Sequence, residues 1–275
     1  MLRRIGCLLA IACALGAQDP RGQISAQEAA QLEAALKTDP GNREARGALL
    51  DYYFLNARVN AASAIAARRR HILWLIENAP WDELAGGPSA TIDASGHRLA
   101  DPAGLALASE AWWAQAVQPA ARVATLIHAA YFLKLSDKEA AIELLEKAVA
   151  LEPSSKQTAA KLGDEYALAI LAITMVNKNG LPMTADPPEY QNDVARRARE
   201  ALNRSKNPFV LAKAGYQIAF QGGVLAGMRK IEFDPWPLAE AIVARAVSVA
   251  PEDPDVAAYQ EQVRELKKLA TNAHQ

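Results

Sequence analysis

Cysteine is almost missing from this chain: there are two, Cys7 and Cys13, and both lie within residues 1–17. If that segment is removed, no thiol remains, which excludes thiolate metal sites, cysteine nucleophiles and structural disulfides. Stability must then come from packing alone. Aromatic residues are also scarce, at 6% against 51% apolar, so alanine carries the apolar excess and favours helix packing. Charge of one sign is lacking: the net charge of −1 provides no large basic field for nucleic acid or an anionic membrane. No segment sustains the two-residue alternation of a half-buried strand. The histidines His71, His97, His128 and His274 show no paired spacing of metal ligands, and neither a metal nor a cofactor is expected.

Residues 1–17 carry Arg3 and Arg4, an apolar run too short to span a bilayer, and small residues before Gln18. This is the pattern of an export signal cleaved near Ala17, which predicts a periplasmic or extracellular protein. The other reading of the segment is a core-packed first helix. Membrane attachment is expected only if Cys13 is lipidated: Ala12 suits a lipid-attachment box, whereas Ala10 stands where such boxes prefer leucine.

The remaining chain is organised around residues 122–166. Ala140, Ala141, Leu144, Leu145, Ala148 and Leu151 recur at the three-and-four spacing of one buried helical face. Ser136 with Glu139 forms a capping-box pattern that predicts the helix start near Ser136. Pro153 cannot continue the helix, so the chain turns into a second one through Leu162, Gly163 and Tyr166.

This stretch resembles a tetratricopeptide repeat, the helical hairpin of roughly 34 residues that stacks into a solenoid. Counted from Pro153, the family's small, aromatic, small, large and small positions fall on Ala129, Phe132, Ala141, Leu145 and Ala148. Leu162, Gly163 and Tyr166 match the opening of the next repeat, whose second helix departs from the pattern. The resemblance implies an all-α fold of antiparallel helical hairpins stacked as a right-handed α-solenoid. It would occupy residues 18–275, with irregular insertions near 81–101 and 179–188.

Leu32, Ala35 and Pro40 repeat the spacing of Leu145, Ala148 and Pro153, and a degenerate copy ends at Pro80. The helix that carries Trp112 and Trp113 cannot turn both rings to one core. Ala239, Val243, Ala246 and Pro251 restore the repeat spacing, and a more polar helix closes the chain, as suits an array that ends in water.

Candidate chemistry is sparse. Asp93, Ser95 and His97 are the residue types of a hydrolase triad, but three near neighbours on an extended strand cannot place nucleophile, base and orienter together. Turn formation by Asp93 and Ser95 is the expected role. Arg68, Arg69 and Arg70 read as a solvated helix face, Trp74 as core, and His128 as a buried, hydrogen-bonded histidine.

The resemblance also implies a peptide-binding groove on the first helix of each repeat. It would include Glu44, Asp51 and Phe54 in one copy and Gln157, Asp164 and Leu168 in another. Gly47, Asp51, Ala160 and Asp164 stand where chaperone-binding relatives place lysine and asparagine, so a carboxylate clamp is not implied. Acidic groove residues favour a basic or neutral partner. The expectation is an exported scaffold that binds a protein or peptide, without catalytic activity. The rival is an enzyme or glycan-binding protein with a pocket built by the 81–101 and 179–188 loops.

Overall fold

The computed structural model describes residues 24–56, 61–95, 100–134, 136–173, 186–227 and 234–272. The expected export signal, Cys13 and His97 lie outside them, as do residues 179–185 of the second loop. The described residues are all-helical and contain no strand: eleven α-helices and one 3-10 turn. None of these helices is long and apolar enough to cross a membrane. Contacts gather the chain into two compact units, Met1–Leu75 with Gly87–Ala108, and Ile76–Gly86 with Ser109–Gln275.

The first unit is built on α1 (Ala26–Thr38), α2 (Arg43–Asn56) and α3 (Ala61–Asn78) as far as Leu75, with a 3-10 turn at Pro88–Ala90 and the start of α4 (Pro102–Ala116). Ser25 and Glu28 form a full capping box: the hydroxyl accepts from Glu28 N at 3.2 Å, and Ser25 N donates to the Glu28 carboxylate at 2.7 Å. Asn42 Oδ1 accepts from Ala45 N at 2.9 Å and starts α2. Ala29, Leu36, Ala45 and Leu49 form the apolar seam between α1 and α2. The match between Ala35 and Ala148 does not extend to burial. Ala148 is fully buried, whereas Ala35 is exposed and Leu36 takes the inward position, one residue further round the helix.

The second unit contains the rest of α4 followed by α5 (Val123–Leu133), α6 (Lys138–Leu151), α7 (Lys156–Ala172), α8 (Pro188–Arg204), α9 (Pro208–Gly227), α10 (Trp236–Val249) and α11 (Pro254–Asn272). Asp137, not Ser136, caps α6: its carboxylate accepts from Ala140 N at 2.9 Å. Ser136 instead closes the turn after α5, its hydroxyl donating to Leu133 O at 3.2 Å, and Glu139 turns away to Arg197 at 2.8 Å. A carboxylate serves the orphan amides of a helix start as well as serine does and also complements the helix dipole, which moves the start by one residue. Ala129, Ala141, Leu145 and Ala148 are buried between helices, and Tyr166 Oη donates to Glu146 at 2.7 Å. Of the two tryptophans on α4, Trp112 is fully buried while Trp113 is 40% exposed.

Helix α9 is the hub of this unit and packs against α7, α10 and α11. Two glycines make the contacts close. A Cβ on Gly163 of α7 would lie 2.6 Å from Val210 O, and one on Gly215 of α9 would lie 2.4 Å from Val243 Cγ2 and 3.0 Å from Ala239 O. Gly163→Ala is therefore expected to force the α7–α9 contact apart, since the obstacle is backbone. Ala148→Leu should overpack the contact it fills. Each should lower stability by about 1–3 kcal/mol in urea unfolding, and an unchanged midpoint for Gly163→Ala would refute the close approach.

Candidate functional site

Helices α7, α9 and α11 begin side by side. Ser155 Oγ accepts from Thr158 N at 3.3 Å, Asn207 Oδ1 from Val210 N at 3.2 Å, and Asp253 Oδ1 from Val256 N at 3.3 Å, so each helix starts on a side-chain cap. The three starts are also linked laterally. Asn207 Nδ2 donates to Pro153 O at 3.2 Å, and Lys156 Nζ lies 3.2 Å from Asp253 and 2.6 Å from Asp255.

Beyond the caps lies a groove of about 420 Å³, with Lys156 and Ala160 from α7, Phe209, Lys213 and Tyr216 from α9, and Tyr259 from α11 among its lining residues. The Tyr216 ring lies 5.5 Å from Tyr259 and 6.0 Å from Phe220, parallel to the latter within 4°. Lysines sit over the rings: Lys156 at 4.5 Å from Phe209 and Lys213 at 5.1 Å from Tyr216. The side chain of Lys213 also reaches Asp164 at 3.5 Å. Phe220 and Val224 extend the apolar stripe of α9 into solvent.

A second hollow of about 430 Å³ lies where α5 meets the other flank of α7, beside Trp81, His128, Tyr131, Gln157 and Lys161. Arg122 covers the Trp81 ring at 4.2 Å, and Lys134 and Lys161 lie 4.4 and 4.7 Å from the Tyr131 ring centre. His128 is half-buried, and its Nδ1 stands 2.9 Å from Pro80 O. A carbonyl only accepts, so the proton is assigned to Nδ1.

The sequence candidates separate into two helices. On α2, Glu44 is exposed, Asp51 is exposed and accepts from Ser89 Oγ, and Phe54, 42% exposed, carries the Arg68 guanidinium 5.1 Å above its ring. On α7, Gln157 borders the Trp81 hollow and Leu168 borders a smaller one of about 230 Å³ with Ile142, Glu165 and Ala169. Asp164 is not the free groove carboxylate expected. It is half-buried and faces Lys213, and burial raises its pKa against the pull of that lysine. Asp93 is half-buried, and its carbonyl accepts from Asp101 N at 2.8 Å. With His97 outside the described residues, the triplet is not assembled among them.

The arginine run corrects another expectation. Arg68 is 4% exposed and donates to Ser89 O and Thr91 O, both at 2.9 Å. Arg69 grips Asp101, whose Oδ1 also accepts from Gly104 N at 2.9 Å, and Arg70 alone remains largely in water. Successive helical residues turn by about 100°, so three in a row cannot share a solvated face.

Sequence reasoning missed a polar cluster in the first unit. Glu33 Oε1 accepts from Tyr53 Oη at 2.9 Å, Arg70 at 2.7 Å and His71 Nε2 at 3.1 Å. Arg46 reaches His71 Nδ1 at 3.1 Å and Pro40 O at 2.6 Å, and its guanidinium lies 3.6 Å from the centre of the Trp74 ring. A guanidinium only donates, so Nδ1 is the acceptor and His71 carries its proton on Nε2, toward Glu33. Both ring nitrogens are thereby engaged. Burial would raise the Glu33 carboxyl, but hydrogen bonds from Tyr53 and His71 hold it below its usual range. Burial, with help from Glu33, pushes Tyr53 up to about 12. Burial also pulls down His71 and Arg46. No local spacing announces the cluster, because its members come from three helices.

Compared with protein-family models, curated proteins and solved structures, the chain matches none.

The cluster makes stability depend on pH. His71 is held neutral in the fold, so the unfolded chain takes up the proton first as pH falls through its ordinary value of 6.5. Stability should be full above that value and fall below it. Glu33, held below its ordinary 4.5, adds its own loss only at lower pH. Urea midpoints taken at about pH 7.5 and about pH 5.5 should differ more for the wild type than for His71→Gln. Equal differences would mean that His71 does not titrate with folding.

Proposed function

We propose that the second unit is a tetratricopeptide-like scaffold that binds a segment of another protein along the α7, α9 and α11 face. The observation that carries this reading is the groove shared by these three alternate helices, in which Phe209, Tyr216 and Tyr259 present ring surface. The laterally linked helix starts and the glycine contact between α7 and α9 support a stack of antiparallel hairpins, right-handed as in the family it resembles. Regularly repeated first helices would give an extended partner a series of similar subsites. Groove charges are balanced within the chain, Lys156 by Asp253 and Asp255 and Lys213 by Asp164. The fitting partner is therefore an extended, weakly charged peptide segment with apolar or aromatic side chains, held by ring contacts more than by ion pairs.

The chain is further proposed to be exported by residues 1–17, tied to a membrane only through a lipid on Cys13, and to act by binding without catalysis. The rival loop-built pocket gains no support from the first loop, where the carbonyls of Ser89 and Thr91 are tied to Arg68.

Display selection with a random peptide library should enrich apolar and aromatic sequences on the wild type. Tyr216→Ser/Tyr259→Ser should weaken the selected peptides by about tenfold or more, the loss of two aromatic contacts, with the helical spectrum retained. Equal affinity in the folded variant would move the site off this face.

A further inference from the structure

The first unit holds a buried cation that no carboxylate contacts directly among the described residues. Arg46 is only 4% exposed, and among the described residues its guanidinium meets the ring nitrogen of His71, the carbonyl of Pro40 and the ring of Trp74, all neutral groups. Its Nε is buried and has no hydrogen-bond partner among the described residues. Glu33 acts on it through space only, while its Oε1 serves Tyr53, Arg70 and His71. His71 cannot supply negative charge in either protonation state. A buried charge is expensive unless it is paired, and removal of water strengthens its attraction for any anion brought close.

Arg46 lines a hollow of about 540 Å³ between α1, α2 and α3, and the other charged groups on its wall are Lys37, Arg70 and Glu33. Three permanent cations thus face one carboxylate that is already engaged. Leu36, Pro40 and Trp74 supply apolar wall. The space exceeds what an inorganic ion fills and lies in the range of small-ligand pockets.

We propose that this hollow binds a small organic anion, a carboxylate or phosphate ester with a planar or apolar body. Its head group would neutralise Arg46, with Lys37 and Arg70 at the mouth, and its body would lie against Leu36 and the Trp74 side of the hollow. The proposal is independent of peptide binding by the second unit.

The test is calorimetry and thermal unfolding of the full chain with benzoate, phenyl phosphate and inorganic phosphate, against sodium chloride at matched ionic strength. Saturable binding of benzoate or phenyl phosphate, with a rise in midpoint, is expected; which of the two binds tells a carboxylate ligand from a phosphate ester. Lys37→Gln/Arg70→Gln, which alters side chains at the mouth and avoids the buried cation, should weaken binding by about tenfold or more. Lys213→Gln in the other unit should leave it unchanged. Arg46→Met should abolish binding if it folds, and the mouth variant decides the matter if it does not. Lack of saturable binding beyond the chloride control, equal binding by the mouth variant, or inorganic phosphate binding as tightly as phenyl phosphate would overturn the proposal.

Discussion

Where α7 crosses α9, no side chain separates the two backbones: a methyl group on Gly163 would lie 2.6 Å from the Val210 carbonyl and 3.0 Å from Ala214 N. Gly215 does the same for α9 against α10, with Val243 and the Ala239 carbonyl as the obstacles. Around these points Ala167, Ala212, Ala214, Ala219 and Ala239 are fully buried, so dispersion between closely approached helices replaces the interdigitation of large side chains. This is the structural meaning of an alanine-rich, aromatic-poor composition. It also shapes the groove, because helices held this closely leave their larger residues, Phe209, Tyr216 and Tyr259, to line it.

The first unit solves its interior differently. Arg46, Arg68 and His71 are buried there, and the groups that receive Arg46 and Arg68 are backbone carbonyls, a neutral imidazole and aromatic faces. The terminal guanidinium nitrogens have specific acceptors, which helps to fix one packing, but both Nε groups are buried without one among the described residues, and the arrangement is costly to desolvate. The expected consequence is acid sensitivity through His71, which burial holds neutral. The same burial that makes Arg46 costly would make it selective in the proposed anion site, since only a ligand able to enter the hollow could reach it.

Helix positions were legible wherever apolar spacing and turn residues agreed, as around Ala141, Leu145, Ala148 and Pro153. The division of labour between Trp112 and Trp113 followed from helical geometry alone. Errors arose where two neighbouring residues could serve one role: Asp137 displaced Ser136 as a cap, and Leu36 took the inward place of Ala35. Helical spacing puts Asp164 on α7, but its pairing depends on Lys213 of α9, 49 positions further along the chain. The Glu33, Arg46 and His71 cluster was illegible for the same reason, since charge pairing between distant helices leaves no periodic trace.

The core of the second unit is assembled on α9, and amide hydrogen exchange measures this directly. Amides of residues 211–219 should open only with global unfolding of the second unit, and should exchange more slowly than those of residues 262–270 in the more polar α11. Exchange from α9 as fast as from α11 would contradict a core assembled on that helix.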